Sequence, residues 1–170
     1  MIDCIESILP PSHRIQWHCV KPDSNLEVID RFISIFPNSV VSLNGASTHI
    51  RDIDQYKVLR KWIRNHPTLL KHLVLETDCP WLCPKNLPVH EFNPCTGIFI
   101  VSKWLEDVLR APGKNASAII RIANDNAKRM FIVIRVCEPI EFNPFADILF
   151  SIIANCFKCK WCYYYFYDSS

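Results

Sequence analysis

Val74-Leu75-Glu76-Thr77-Asp78-Cys79-Pro80-Trp81 is the stretch on which the fold turns. An apolar run ends in two carboxylates, and Pro80 then has no N–H to donate to a neighbouring strand. This is the pattern of the C-terminal end of a buried parallel strand. In an α/β barrel the catalytic groups gather at that end, because the strand interior is packed and only its last residues open onto the site. Asp78 is therefore the first candidate for a catalytic residue.

On either side of this box, from Arg14 to Phe131, strand-like and helix-like apolar spacing alternate, the signature of βα units on a parallel sheet. Ile15-Gln16-Trp17-His18-Cys19-Val20 predicts a first strand. Ser24 and Glu27 stand at capping-box spacing, so a helix is expected with Leu26, Ile29, Ile33 and Phe36 on one face, ending at Pro37. Ser39-Val40-Val41-Ser42-Leu43 predicts a second strand, closed by Asn44-Gly45, a pair that readily accepts positive φ. Its helix carries Tyr56, Leu59 and Ile63 and ends at His66-Pro67. Leu73-Val74-Leu75-Glu76-Thr77 forms the third strand. A Pro-rich loop, 79–94, leads to a helix striped with Ile98, Val101, Leu105 and Val108 and stopped at Pro112-Gly113. A closing helix runs from Ser117 to Phe131.

The chain has 170 residues, enough for one domain with a core and short for two. With 19 Lys+Arg against 17 Asp+Glu, no global field argues for nucleic acid, so any DNA contact has to be local. Nine cysteines without a framework spacing or a secretory signal ahead of them suggest reduced thiols, and hence an intracellular protein of the cytoplasm or nucleus. The sequon at Asn115-Ala116-Ser117 carries little weight in that setting. Three segments follow: an N-terminal extension (1–13), the βα segment (14–131) and a hydrophobic Cys/Tyr-rich tail of different character (132–170). The tail's most apolar stretch, Phe145 to Phe157, is broken by Asp147 and Asn155 and falls short of the ~20 residues that span a bilayer, so a membrane partner is not expected. Cys156, Cys159 and Cys162 would need a fourth ligand from elsewhere to hold zinc.

His18-Cys19 at one strand end, Asn44-Gly45 after the next, the Glu-Thr-Asp-x-Pro-aromatic box at 76–81 and the closing Asn126-Ala127-Lys128-Arg129-Met130-Phe131 occur in the order and spacing of one known family. The segment from Arg14 to Phe131 resembles the C-terminal part of the TatD metal-dependent deoxyribonucleases. The resemblance implies a partial TIM-type (β/α) barrel of about three C-terminal βα units plus a closing helix, a divalent metal ion such as Mg²⁺ or Zn²⁺, and hydrolysis of DNA phosphodiesters. It places the family's late metal-binding His on His18 and its strand-end Asp ligand on Asp78. The family's early His-x-His, mid-chain Glu and further His belong to strands expected before Arg14, and no His-x-His occurs in this sequence. Val20-Lys21-Pro22 replaces the usual aromatic, hydroxyl and Gly after the His-Cys pair. Cys79 stands where Ser or Ala is common, and Trp81 where Tyr is common.

One His and one Asp do not build a hydrolytic metal cage, since catalytic zinc sites use about three protein ligands and two-metal sites more. Nor do three strands close an eight-stranded barrel of ~250 residues. The expectation is an incomplete hydrolase fragment with open lateral edges, in which the inward faces of Val40, Leu43 and Val74 lack partners. Alternatives are a non-catalytic piece that pairs with a full-length relative completing the barrel, or a non-functional truncated product. Glu76 is expected to brace Asp78 or a metal-bound water from behind, unless strand alternation turns it away. His13, His49, His66, His72 and His90 read as surface or loop histidines. Lys57, Arg60, Lys61 and Arg64 read as the charged outer face of a helix.

Overall fold

The computed structural model describes residues 2–131, so the tail 132–170 with its cysteine triplet lies outside the described residues. Three strands, β1 (Gln16–Trp17), β2 (Val40–Leu43) and β3 (Leu73–Leu75), pair in parallel in the order β1-β2-β3. Gln16 pairs with Val40, Val41 with Leu73 and Leu43 with Leu75. Beyond the strands Glu76 N–H donates in register to the Leu43 carbonyl at 3.0 Å, whereas past β1 the Ser42 carbonyl accepts from Val20 N–H at 2.9 Å, one residue later than the register requires, because the left-handed turn at Cys19 (φ 57°) sends the Cys19 N–H elsewhere. The chain is thus α/β with an open parallel sheet, compatible with a run of βα units, and the described strands do not close into a barrel.

Six helices surround the sheet: α1 (Ile2–Ile8), α2 (Leu26–Ile35), α3 (Ile53–Asn65), α4 (Leu69–His72), α5 (Pro94–Leu109) and α6 (Ala116–Met130). Most begin at a side-chain cap. Asp52 accepts from the N–H groups of Asp54 and Gln55, and Asn115 from that of Ala118. Asn93 and Thr96 form a reciprocal capping box at α5, where Pro94 sits at a first-turn position whose N–H needs no partner. The expected Ser24/Glu27 box does not form. Ser24 is consumed by a tight turn, accepting from Lys21 N–H at 3.0 Å and donating its own N–H to the Lys21 carbonyl, so Asn25 caps α2 instead. None of the described helices is long and apolar enough to cross a membrane.

Strand alternation divides the sheet into two unlike faces. Val41, Leu43, Leu73 and Leu75 belong to the main core with Ile29, Phe32 and Phe36 of the α2 region, Leu59 and Ile63 of α3, and Ile98, Val101 and Leu105 of α5. Trp17 packs against Phe32 with ring centroids 5.4 Å apart and the planes inclined at 59°. Each fully buried Leu, Ile or Phe side chain contributes about 1.5–3 kcal/mol relative to exposure. α1 joins this core through Ile2 and Ile5, and Arg31 of α2 pairs with Asp3 at 2.6 Å and Glu6 at 2.7 Å.

The other face does not lack partners, contrary to expectation. Val40 and Val74 pack on Ala127, with Met130 and Phe131 beside them, so the last turn of α6 covers the N-terminal half of that face. Leu43 was expected there too, but it is three residues from Val40 and so faces the main core. Asn126 locks α6 in place: its amide donates to the Leu70 carbonyl at 2.8 Å and the Leu73 carbonyl at 2.7 Å.

Candidate metal centre

The same alternation that puts Val40 and Val74 on the α6 face carries Gln16, His18, Asn44, Glu76 and Asp78 onto it, toward the C-terminal ends of the strands. His18, Glu76 and Asp78 come together there, each offering a ligand atom within 4.8 Å of the others. His18 Nδ1 lies 2.7 Å from Glu76 Oε2, and Nε2 lies 3.3 Å from Asp78 Oδ2. Glu76 is 4 % exposed. It points into the cluster, which resolves the alternation question.

Two groups missed in the sequence complete the cluster. Asn44, fully buried, donates its amide to Glu76 Oε1 at 3.1 Å and to Asp78 Oδ2 at 3.2 Å, bridging the two carboxylates. Its Oδ1 accepts from Ala46 N–H at 3.0 Å, which fixes the amide orientation. Gln16 donates Nε2 to Glu76 Oε2 at 3.0 Å. The signal for both was the period of two: Gln16 precedes His18 by two, and Asn44 follows Ser42 by two. The Asn44-Gly45 pair predicts a turn with positive φ. The φ of Asn44 is −141°, and Gly45 serves a different end, since a Cβ there would overlap the Leu82 carbonyl oxygen.

Left-handed backbone appears instead at Cys19 (φ 57°) and Asp78 (φ 46°), one beside a candidate ligand and the other at one. Non-glycine residues in this region cost about 1–3 kcal/mol and persist where surrounding contacts impose them. At Cys19 the turn aims its N–H at both Ser42 Oγ and Glu76 Oε1, each 3.0 Å away. Burial pushes the Cys19 thiol up from its ordinary value, and the Glu76 and Asp78 carboxylates add to this against the opposing hydrogen bond to Asn44.

The donor set suits a divalent ion. Imidazole nitrogen with carboxylate oxygen is a common combination for zinc and similar metals, whereas Mg²⁺ favours oxygen alone. Two ligand atoms about 2.0–2.1 Å from one zinc at the tetrahedral angle lie about 3.3–3.4 Å apart. The 3.3 Å between His18 Nε2 and Asp78 Oδ2 meets this without movement.

A cleft of about 310 Å³ opens beside the cluster, starting at Cys19 and bounded by Lys21, His49, Arg51, Trp81 and Leu82. Trp81 is 84 % exposed, and its N–H donates to the Asp78 carbonyl at 2.8 Å. The other histidines stand away from the cluster: His49 bonds the Cys83 carbonyl, His72 the Ser39 carbonyl, and His66 pairs with Asp30. His66 and His72 are partly buried structural groups rather than surface ones. On α3, Lys57 pairs with Asp54, Arg60 stacks on Tyr56, and Arg64 donates to the Val108 carbonyl.

No family model, curated protein or solved structure matches the chain.

Proposed function

We propose that the chain is a TatD-like metal-dependent hydrolase of DNA phosphodiesters carrying part of the family's site, with His18 and Asp78 as its metal ligands. One observation carries the reading. Two residues 60 positions apart, singled out by their motifs, place Nε2 and Oδ2 3.3 Å apart at the C-terminal ends of strands in one parallel sheet. A divalent ion held there supplies Lewis acidity and a water of lowered pKa. Glu76 keeps the imidazole turned, and Asn44 holds Asp78 in place. In hydrolysis, water oxygen adds to phosphorus, the P–O ester bond breaks, and the departing oxygen takes a proton. The neighbouring cleft supports contact with a strand of nucleic acid through Arg51 to a phosphate and Trp81 to a base, while Lys21 is paired with Asp23 of the same lining at 3.3 Å.

As an incomplete fragment the chain lacks most of that family's ligands, so the hydrolase reading stands or falls on whether full chain incubated with DNA and Mg²⁺ or Zn²⁺ cleaves it and Asp78→Ala abolishes cleavage. Activity no higher than the variant's background refutes the hydrolase reading for this polypeptide. A second reading, a non-catalytic piece that pairs with a full-length relative, draws support from β1 and β3, each paired on one side only among the described residues. It requires a stable complex on size exclusion with such a relative.

A further inference from the structure

The three acid and imidazole groups of the cluster are not equivalent, and we infer that Glu76 is a positioning residue that directs coordination through His18 Nε2, not a metal ligand. The inference rests on reading the cluster as a metal seat, and it does not depend on DNA being the substrate.

Glu76 is saturated. A carboxylate offers roughly four lone-pair sites, and four donors meet this one: Cys19 N–H and the Asn44 amide at Oε1, the Gln16 amide and His18 Nδ1 at Oε2. No lone pair is left for an ion. Because the carboxylate accepts only, the 2.7 Å bond to His18 assigns the Nδ1 proton to the imidazole and turns the opposite ring edge away from Glu76.

That opposite edge faces Asp78. Nε2 and Oδ2, 3.3 Å apart, are both acceptors once Nδ1 carries the only ring proton. Two acceptors at that distance need a cation between them, either a second proton or a metal ion. Glu76 and Asp78 lie on opposite edges of one ring, so they cannot share an ion through Nε2. The ligand pair is His18 Nε2 with Asp78. Glu76 supplies the carboxylate–imidazole bond that commonly orients a ligating histidine. Gln16 and Asn44 hold that carboxylate in place, and Asn44, by also bonding Asp78 Oδ2, fixes the spacing between the orienting group and the second ligand.

The test uses full chain with ¹⁵N-labelled histidine, titrated with Zn²⁺ alone and followed by ring-nitrogen NMR. His18 should coordinate through Nε2 while Nδ1 keeps its proton. Glu76→Gln should weaken zinc binding at His18 roughly 10–100-fold, and Asp78→Asn should weaken it more. Coordination through Nδ1, no zinc response at His18, or unchanged affinity in Glu76→Gln each overturn the inference. If Glu76→Gln fails to fold, the ring readout of the unmodified chain decides alone. Zinc held through Nε2 without DNA cleavage would sustain the inference while removing the hydrolase reading. Cleavage that needs Asp78 but is indifferent to Glu76→Gln would do the reverse.

Discussion

Replacing Gly45 by Ala tests the packing that carries Asp78 to its place. Gly45 opens the 3-10 turn Gly45–Thr48 after β2, without positive φ, so backbone conformation alone favours Ala by about 0.5–1 kcal/mol. The structure predicts the opposite sign. An added Cβ would overlap the Leu82 carbonyl oxygen and lie 2.8 Å from both Leu82 C and Pro84 N, all backbone atoms that no rotamer change can clear. The loop is pinned against the turn by His49 Nε2 to the Cys83 carbonyl at 2.7 Å and Lys85 N–H to Thr48 Oγ1 at 2.8 Å, so it cannot retreat without losing bonds. Overpacking of this kind costs about 1–3 kcal/mol. Less the backbone gain, the net loss is about 1–2 kcal/mol, a fall in Tm of about 2–8 °C for a chain of 170 residues. Thermal unfolding of full chain and variant at one concentration measures it. Because the displaced loop begins just after Asp78, zinc affinity at His18 should fall as well. A Tm equal to or above that of the unmodified chain would refute the close-approach argument outright.

Asn126→Ala removes the amide that serves the Leu70 and Leu73 carbonyls; urea unfolding should show about 1–3 kcal/mol lost, and a change under about 0.5 kcal/mol would show that Asn126 is not what fixes α6. The Cys19 thiol is raised, chiefly by burial, so among the described cysteines iodoacetamide should label exposed Cys4 and Cys95 before Cys19, which reacts only as pH climbs further; peptide mapping that finds Cys19 labelled ahead of Cys4 and Cys95 contradicts its placement. The Glu106 carboxyl is lowered, first by its hydrogen bond from Lys103 and then by that from Ala116 N–H at the start of α6. A depressed folded-state pKa means stabilisation that is present above the unfolded value and lost as pH falls through the folded one. Glu106→Gln should therefore lower Tm near neutral pH and lose that effect in acid, once the carboxyl is protonated in the folded state as well, and an equal deficit at both extremes would exclude the ionic origin.

Among the described residues, periodicity and turn residues were enough to locate the three strands and the four longest helices, because long amphipathic stripes such as Ile98, Val101, Leu105 and Val108 admit only one solution. Local competition explains the misses. Ser24 satisfied the capping-box pattern, yet its hydroxyl met the Lys21 N–H first. Asn44-Gly45 looked like a positive-φ turn, whereas the glycine answers to a loop almost 40 residues away. α1 and α4 gave no periodic signal over 7 and 4 residues, lengths at which packing rather than propensity decides helicity.

The site divides in the same way. His18 and Asp78 were legible because each sits in a motif at a strand end. Asn44 and Gln16 were not, because their function depends on register, and register is set by which strands pair. Val40 opposite Gln16, and Ser42 opposite Val74, place Gln16, His18, Asn44, Glu76 and Asp78 on one face with Ser42 among them, above two valines. That stacking also constrains what can complete the coordination. The N-terminal half of the face is filled by Ala127, Met130 and Phe131. Glu76, saturated by four donors, closes the cluster behind the imidazole. On the reading of the cluster as a metal seat, a further ligand, whether water, a phosphate oxygen or a side chain of another polypeptide, has to arrive from the C-terminal rim, next to the residues Cys19 and Trp81 that line the adjoining cleft.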